Sequence, residues 1–223
     1  MRFPDSAGVM ILDGCPLFPR SLVPLFIFEP RYRSLLQSAL SGERMMCLAM
    51  RQPGSPDRPN PLAGLGLIRT SVKNPNGTSN LLLEGLTRVR LGRAIQTRPF
   101  RIHRIEPISS PAPEGPDTEA LVQRVLELVE VRLRQGIELP LGVLLHLTGA
   151  SKESSPVRIK DCLVALRAMN DPGAMADVVA SLLLSNFIMR QVVLQAVDVS
   201  ERLRHVIDFL SSETSQPREE SSS

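Results

Sequence analysis

LFPRSLVPLFIFEPRYRSLL (residues 17–36) places Pro19, Pro24 and Pro30 around a short apolar run and closes on Glu29-Pro30-Arg31-Tyr32-Arg33. Leu25 to Phe28 reads as a strand that is apolar on both faces and is therefore expected to be covered on both sides. Proline has a fixed φ suited to the first helical position, so Pro30 starts a helix with Glu29 at its N-cap. Tyr32, Leu35, Leu36, Ala39 and Leu40 recur at helical spacing and give that helix one apolar face. Gly42 follows as its stop. A buried strand feeding directly into an amphipathic helix needs a sheet to pack on, and the next eighty residues supply one.

Met45 to Met50 is a second buried strand, and Gln52 to Pro61, with four prolines, is an exposed loop. Gly66–Lys73 and Leu81–Glu84 flank Asn74-Pro75-Asn76-Gly77. Asn-Gly between strands is a hairpin signal, because both residues tolerate positive φ. Thr87–Leu91 and Phe100–Pro107 complete a set of short strands that suggests a small barrel. Alternation in Arg88-Val89-Arg90-Leu91 puts the arginines out and the aliphatics in. After Ser109–Pro116, a linker by composition, the pattern turns helical. Leu121, Val125, Leu128, Val129 and Leu133 line one helix. Val143–Leu147 and Lys160–Met169 suggest further helices. Asp171-Pro172 opens the next, and Asp198 with Glu201 opens the last.

The 223 residues are 43% hydrophobic, enough for a real core, with a mild net charge of +3. Such a charge permits an acidic partner without demanding one. Cys15, Cys47 and Cys162 form no CxxC pair and read as small buried hydrophobes in a reducing compartment. Asp5 and Asp13 interrupt any signal-peptide core. The longest uncharged apolar run, Val178 to Met189, has twelve residues, short of the ~20 that a bilayer requires. The chain is therefore expected to be cytoplasmic, with no membrane partner.

Three stretches together resemble a family. LFP (17–19) with PLFIFEPRYR (24–33), GLGLIRTSVKNPNGTSNLLLEGLTRVRL (64–91), and NDPGAMADVVASLLL (170–184) with LQAVDVSERLRHVIDFL (194–210) are similar to the amino-terminal, substrate-binding domain of Lon proteases, and especially to stand-alone bacterial proteins made of that domain. The resemblance implies an α+β fold: a PUA-like mixed β-barrel with one packed helix over residues 1–109 and a helical bundle over 117–212; the Ser-, Glu-, Gln-, Pro- and Arg-rich composition of 213–223 suggests a disordered tail. The resemblance also implies a protein-binding module that holds unfolded or exposed apolar polypeptide segments, working with a protease or chaperone.

Catalytic chemistry has little to stand on. A P-loop needs Gly-Lys to cradle phosphates, and the sequence has no Gly-Lys pair. A Ser–Lys dyad needs a desolvated lysine, and Lys73, Lys152 and Lys160, the three lysines, all fall in loops or at segment ends. His103, His146 and His205 show no ligand or triad spacing. No catalytic residue, metal site or cofactor is expected.

Two clusters are candidate binding residues. Phe26, Phe28, Glu29, Arg31 and Tyr32 could form a charged lip beside an apolar groove that binds peptide; read structurally, Glu29 caps the helix and the arginines face solvent. Arg88, Arg90, Arg101 and His103, in the densest basic cluster, are the alternative site, for RNA or another polyanion. A third reading is a subunit or relic of an ATP-dependent peptidase.

Overall fold

A single strand of 18 residues organises the first part of the molecule. The computed structural model describes residues 2–55, 57–111, 115–135 and 159–215, and the chain divides into two compact units, Met1–Ser109 and Ser110–Ser223. The first unit runs β1 (Ser6–Leu12), β2 (Leu22–Ile27), α1 (Pro30–Ser41), β3 (Met45–Met50), β4 (Leu62–Lys73), β5 (Ser79–Gln96) and β6 (Arg101–Pro107). Its six strands form one mixed sheet in the order β2-β5-β4-β3-β1-β6. The long β5 also pairs with β6, so the sheet rolls upon itself. Only the β1–β3 pair is parallel. The unit is thus α+β, built on a curled, barrel-like sheet.

β3 has the bounds its apolar run suggests. The two strands expected over 81–84 and 87–91 are one continuous β5, with a register shift opposite Leu65 and Gly66. β1, absent from the sequence reading, lies between β3 and β6, where Val9 and Ile11 face one core cluster and Met10 faces the other. One cluster lies under α1, with Tyr32, Leu35, Leu36, Leu48 and Leu83. The second joins Ile11, Cys47, Ala63, Leu65 and Val89. Each such aliphatic side chain contributes roughly 1.5–3 kcal/mol when removed from water.

α1 starts at Pro30 as expected, but Glu29 caps it only through its backbone, whose carbonyl accepts from the Arg33 amide at 2.9 Å. Nor does Gly42 make a left-handed stop. Its φ is −116°, and Arg44 takes the positive φ instead, at 60°, with its amide donating to the Ala39 carbonyl.

Leu17 and Phe18 are fully buried and lie across β4 and β5. The Arg20 amide donates to the Gly85 carbonyl at 2.7 Å, and the Gly85 amide to the Ser21 carbonyl at 2.8 Å. A Cβ at Gly85 would sit 1.9 Å from the Phe18 carbonyl oxygen, and one at Gly64 would sit 2.1 Å from that of Leu17. Glycine is required where backbones approach this closely. The LFP and EG stretches thus meet face to face.

The second unit comprises α2 (Pro116–Arg134), α3 (Ile159–Arg167), α4 (Pro172–Leu183), α5 (Phe187–Gln195) and α6 (Val199–Ser215). The Asp171 carboxylate accepts from the Ala174 amide at 3.0 Å, and Asp198 accepts from the Glu201 amide at 2.8 Å, as their spacing suggests. Val199, Leu203, Val206 and Leu210 give α6 a fully buried stripe. Arg202 is buried within this unit beside Asp177 (3.4 Å), and its guanidinium also donates to the Ala196 carbonyl at 3.0 Å. α6 continues into the stretch expected to be a disordered tail, because Glu213 is held by Arg132 at 2.8 Å and by the Ser185 hydroxyl at 2.7 Å. The helix expected at Val143–Leu147 and the rest of the tail, 216–223, lie outside the described residues. No helix among the described residues is long and apolar enough to cross a membrane.

Candidate functional site

β2 is an edge strand: among the described residues it pairs with β5 alone. That position accommodates Pro24, which has no amide hydrogen for a ladder. Side chains alternate along a strand, and the two sides of β2 meet different surroundings. Val23, Leu25 and Ile27 pack into the cluster under α1. Pro24, Phe26 and Phe28 point the other way and are exposed, Phe26 at 55% and Phe28 at 59%. The expectation that both sides are covered is therefore wrong for Leu25–Phe28. The two phenyl rings stack on each other, with centroids 5.9 Å apart.

The register extends this open face across the sheet. Phe26 lies opposite Asn80, and Asn80 opposite Val72. Pro24 lies opposite Leu82, and Leu82 opposite Thr70. Residues opposite one another in an antiparallel pair project to the same side. Val72 is 62% exposed and Leu82 is half-buried. Phe26, Leu82 and Val72 thus share one face of β2, β5 and β4, with Asn80 between Phe26 and Val72, while Phe28, just past β2, stacks on Phe26; the Arg69–Glu84 ion pair lies beside them. Sequence reasoning missed Val72 and Leu82. The Asn-Gly turn could have revealed them, because it fixes which residues of the hairpin stand opposite each other.

The five residues proposed for this site do not all belong to it. Tyr32 is buried under α1, where its hydroxyl donates to the Ile11 carbonyl at 2.8 Å and accepts from the Ile11 amide at 3.2 Å. It ties the helix to β1 and is closed off from solvent. Burial is the main cause that raises its pKa above the ordinary 10.0. Glu29 accepts from Arg31 Nε at 2.8 Å, and the Arg31 guanidinium lies over the Tyr32 ring, 4.5 Å from its centroid. Asp57 joins this group from the proline-rich loop. It lies 3.6 Å from Arg31 and accepts a hydrogen bond from Arg101. The Arg101 bond holds the Asp57 carboxyl below the usual carboxylate range.

The basic cluster does not form an outward face. Arg90 is exposed, but Arg88 is buried. Arg88 does point away from Val89, as alternation requires. That side is covered by Phe18, whose ring centre lies 5.9 Å from the guanidinium. His103 is also buried, between Ala7 of β1 and Ala94 of β5, and its Nδ1–H donates to the Gly92 carbonyl at 2.9 Å. Arg101 is engaged by Asp57. Of the four residues, Arg90 alone remains both exposed and outward, which is little for a polyanion to grip.

The family model described as the ATP-dependent protease La (LON) substrate-binding domain matches residues 7–212, through both units. The chain belongs to the Lon substrate-binding domain family. It is 27% identical over 219 residues to Lon protease of Trichlorobacter lovleyi, covering 96% of this chain and 24% of that protein. With Lon protease of Escherichia coli K12 the identity is 24% over 210 residues, covering 92% and 24%. The chain therefore spans about a quarter of the length of the curated relatives it matches. Two solved structures share the fold. The N-terminal domain of the Mycobacterium avium complex Lon protease superposes with a TM-score of 0.70 at 20% identity, covering 92% of this chain and 98% of that one. The Lon N-terminal domain protein of Xanthomonas campestris gives 0.60 at 18%, with the same coverage. The Lon domain to which this chain corresponds is the substrate-binding part of that protease, not its catalytic part.

Proposed function

We propose that this domain binds exposed apolar segments of unfolded polypeptides without catalysing any reaction on them, and delivers them to a protease or chaperone. The observation that carries the reading is the stacked, exposed Phe26–Phe28 pair on an edge strand, continued by Val72 and Leu82. Large apolar side chains exposed on one face mark interaction sites. An edge strand adds a physical route, because an extended segment can pair with its free backbone groups while its side chains meet the exposed apolar ones. The family match supports a polypeptide ligand. The lack of a Gly-Lys pair for phosphate binding supports a role without ATP hydrolysis in this domain.

A peptide array tests the reading. Retention of segments rich in Phe, Leu and Val over length-matched polar controls is the expected result. Equal retention of both classes would refute it. Casein incubated with the protein, with and without ATP, should remain intact.

A further inference from the structure

On the α1 side of the β4–β5 hairpin, a groove of about 550 Å³ opens between the helix and the turn. Arg33 from α1 and Lys73 from β4 both line it, with Ser71, Ser79, Gly77 and Gln37. The hairpin turn positions Arg33: its Nη2 donates to the Asn76 carbonyl at 2.8 Å. Gly77, at φ 80°, leaves the room, since a Cβ there would lie 2.5 Å from Nη2. Arg33 Nε is shielded from solvent and donates to nothing among the described residues. Among the described residues no acidic side chain lines the groove, and neither Arg33 nor Lys73 forms an ion pair.

We propose that this groove binds a phosphate group. The Arg33 guanidinium, held in place by the turn, has Nη1 and the second Nη2 hydrogen left to donate to an oxyanion, and a lysine adds a compact second charge. Two uncompensated cations match the charge of roughly −1.5 to −2 that a phosphate monoester carries near neutral pH. Lys73 and Val72 are neighbours on β4 and project to opposite sides of the sheet, so the groove lies on the face away from Phe26 and Phe28. Phosphate binding here is independent of polypeptide binding there.

Amide NMR on the intact, isotope-labelled chain tests this, titrating inorganic phosphate and phosphoserine separately against chloride at matched ionic strength. Saturable shifts confined to residues 33–41 and 71–79 are expected with phosphate. Tighter binding of phosphoserine would assign the site to a phosphorylated side chain, and equal binding to the free ion. Arg33→Gln should weaken binding at least about tenfold, the loss of one charge-assisted hydrogen bond. Lys73→Gln, at an exposed position that the fold does not need, should weaken it about threefold. The absence of saturable shifts at these residues, or unchanged affinity in Lys73→Gln and in a folded Arg33→Gln, would overturn the proposal.

Discussion

The two sides of β2 are made of the same kinds of residue and do opposite things. Val23, Leu25 and Ile27 pack against the cluster under α1, while Pro24, Phe26 and Phe28 are exposed. Hydrophobicity alone does not distinguish them. What differs is coverage: α1 and the Leu17–Phe18 segment cover other faces of the sheet, while Phe26 and Phe28 stack on each other and stay more than half exposed. The covered side holds the fold, and the open side is the proposed binding surface. Substitutions on the covered side should therefore cost stability. Those on the open side should cost binding and leave stability alone.

The contrast breaks most visibly at Gly85. An alanine there puts Cβ against the Phe18 carbonyl, so Gly85→Ala should lose more than about 3 kcal/mol, read by urea denaturation. A loss below ~1 kcal/mol would mean that the Leu17–Phe18 segment is not clamped. Next comes alkaline pH. Burial pushes the Cys47 thiol from its ordinary 9.0 up to about 12, and the Tyr32 hydroxyl is raised above 10.0. Between pH 9 and about 12 the unfolded chain releases protons that the fold retains. Stability should therefore be fully present below pH 9 and decline as pH rises through that window, and Cys47→Ala should flatten its lower part. Tyr32→Phe should cost roughly 1–3 kcal/mol, since it leaves the buried Ile11 carbonyl and amide short of a partner, with no change in polypeptide binding. Phe26→Ser, the smallest effect, should shift stability by less than about 0.5 kcal/mol.

Much of this was legible in the sequence because the signals are local. Pro30 sets a helix start, Asn76-Gly77 sets a hairpin, the run Met45–Met50 sets a strand, and Asp171 sets a cap. The failures share a cause: each concerns what lies over a face. Alternation gave Arg88 the correct direction, but Phe18, seventy residues earlier in the chain, covers it. Leu25–Phe28 reads as buried on both sides because its apolar run starts after Pro24, the one local sign that β2 is an edge strand. Tyr32 looks like part of a lip because its partner, Ile11, lies on a strand that turn signals did not mark. Asp57, which joins Arg31 to Arg101, sits in a loop without any pattern. The family motifs make sense in the same terms: LFP and EG mark a close backbone contact, and PLFIFEP marks both the strand that leaves one side open and the helix that covers the other.

The central claim is that the open side of β2 is a binding surface. The direct test is the affinity of a fluorescent, permanently unfolded apolar polypeptide for the parent protein and for the double variant Phe26→Ser, Phe28→Ser, with denaturation curves measured alongside. The account predicts equal stability and an affinity at least about tenfold weaker in the variant, as expected for removing aromatic anchors from an interface. Unchanged affinity in a variant of unchanged stability would contradict it.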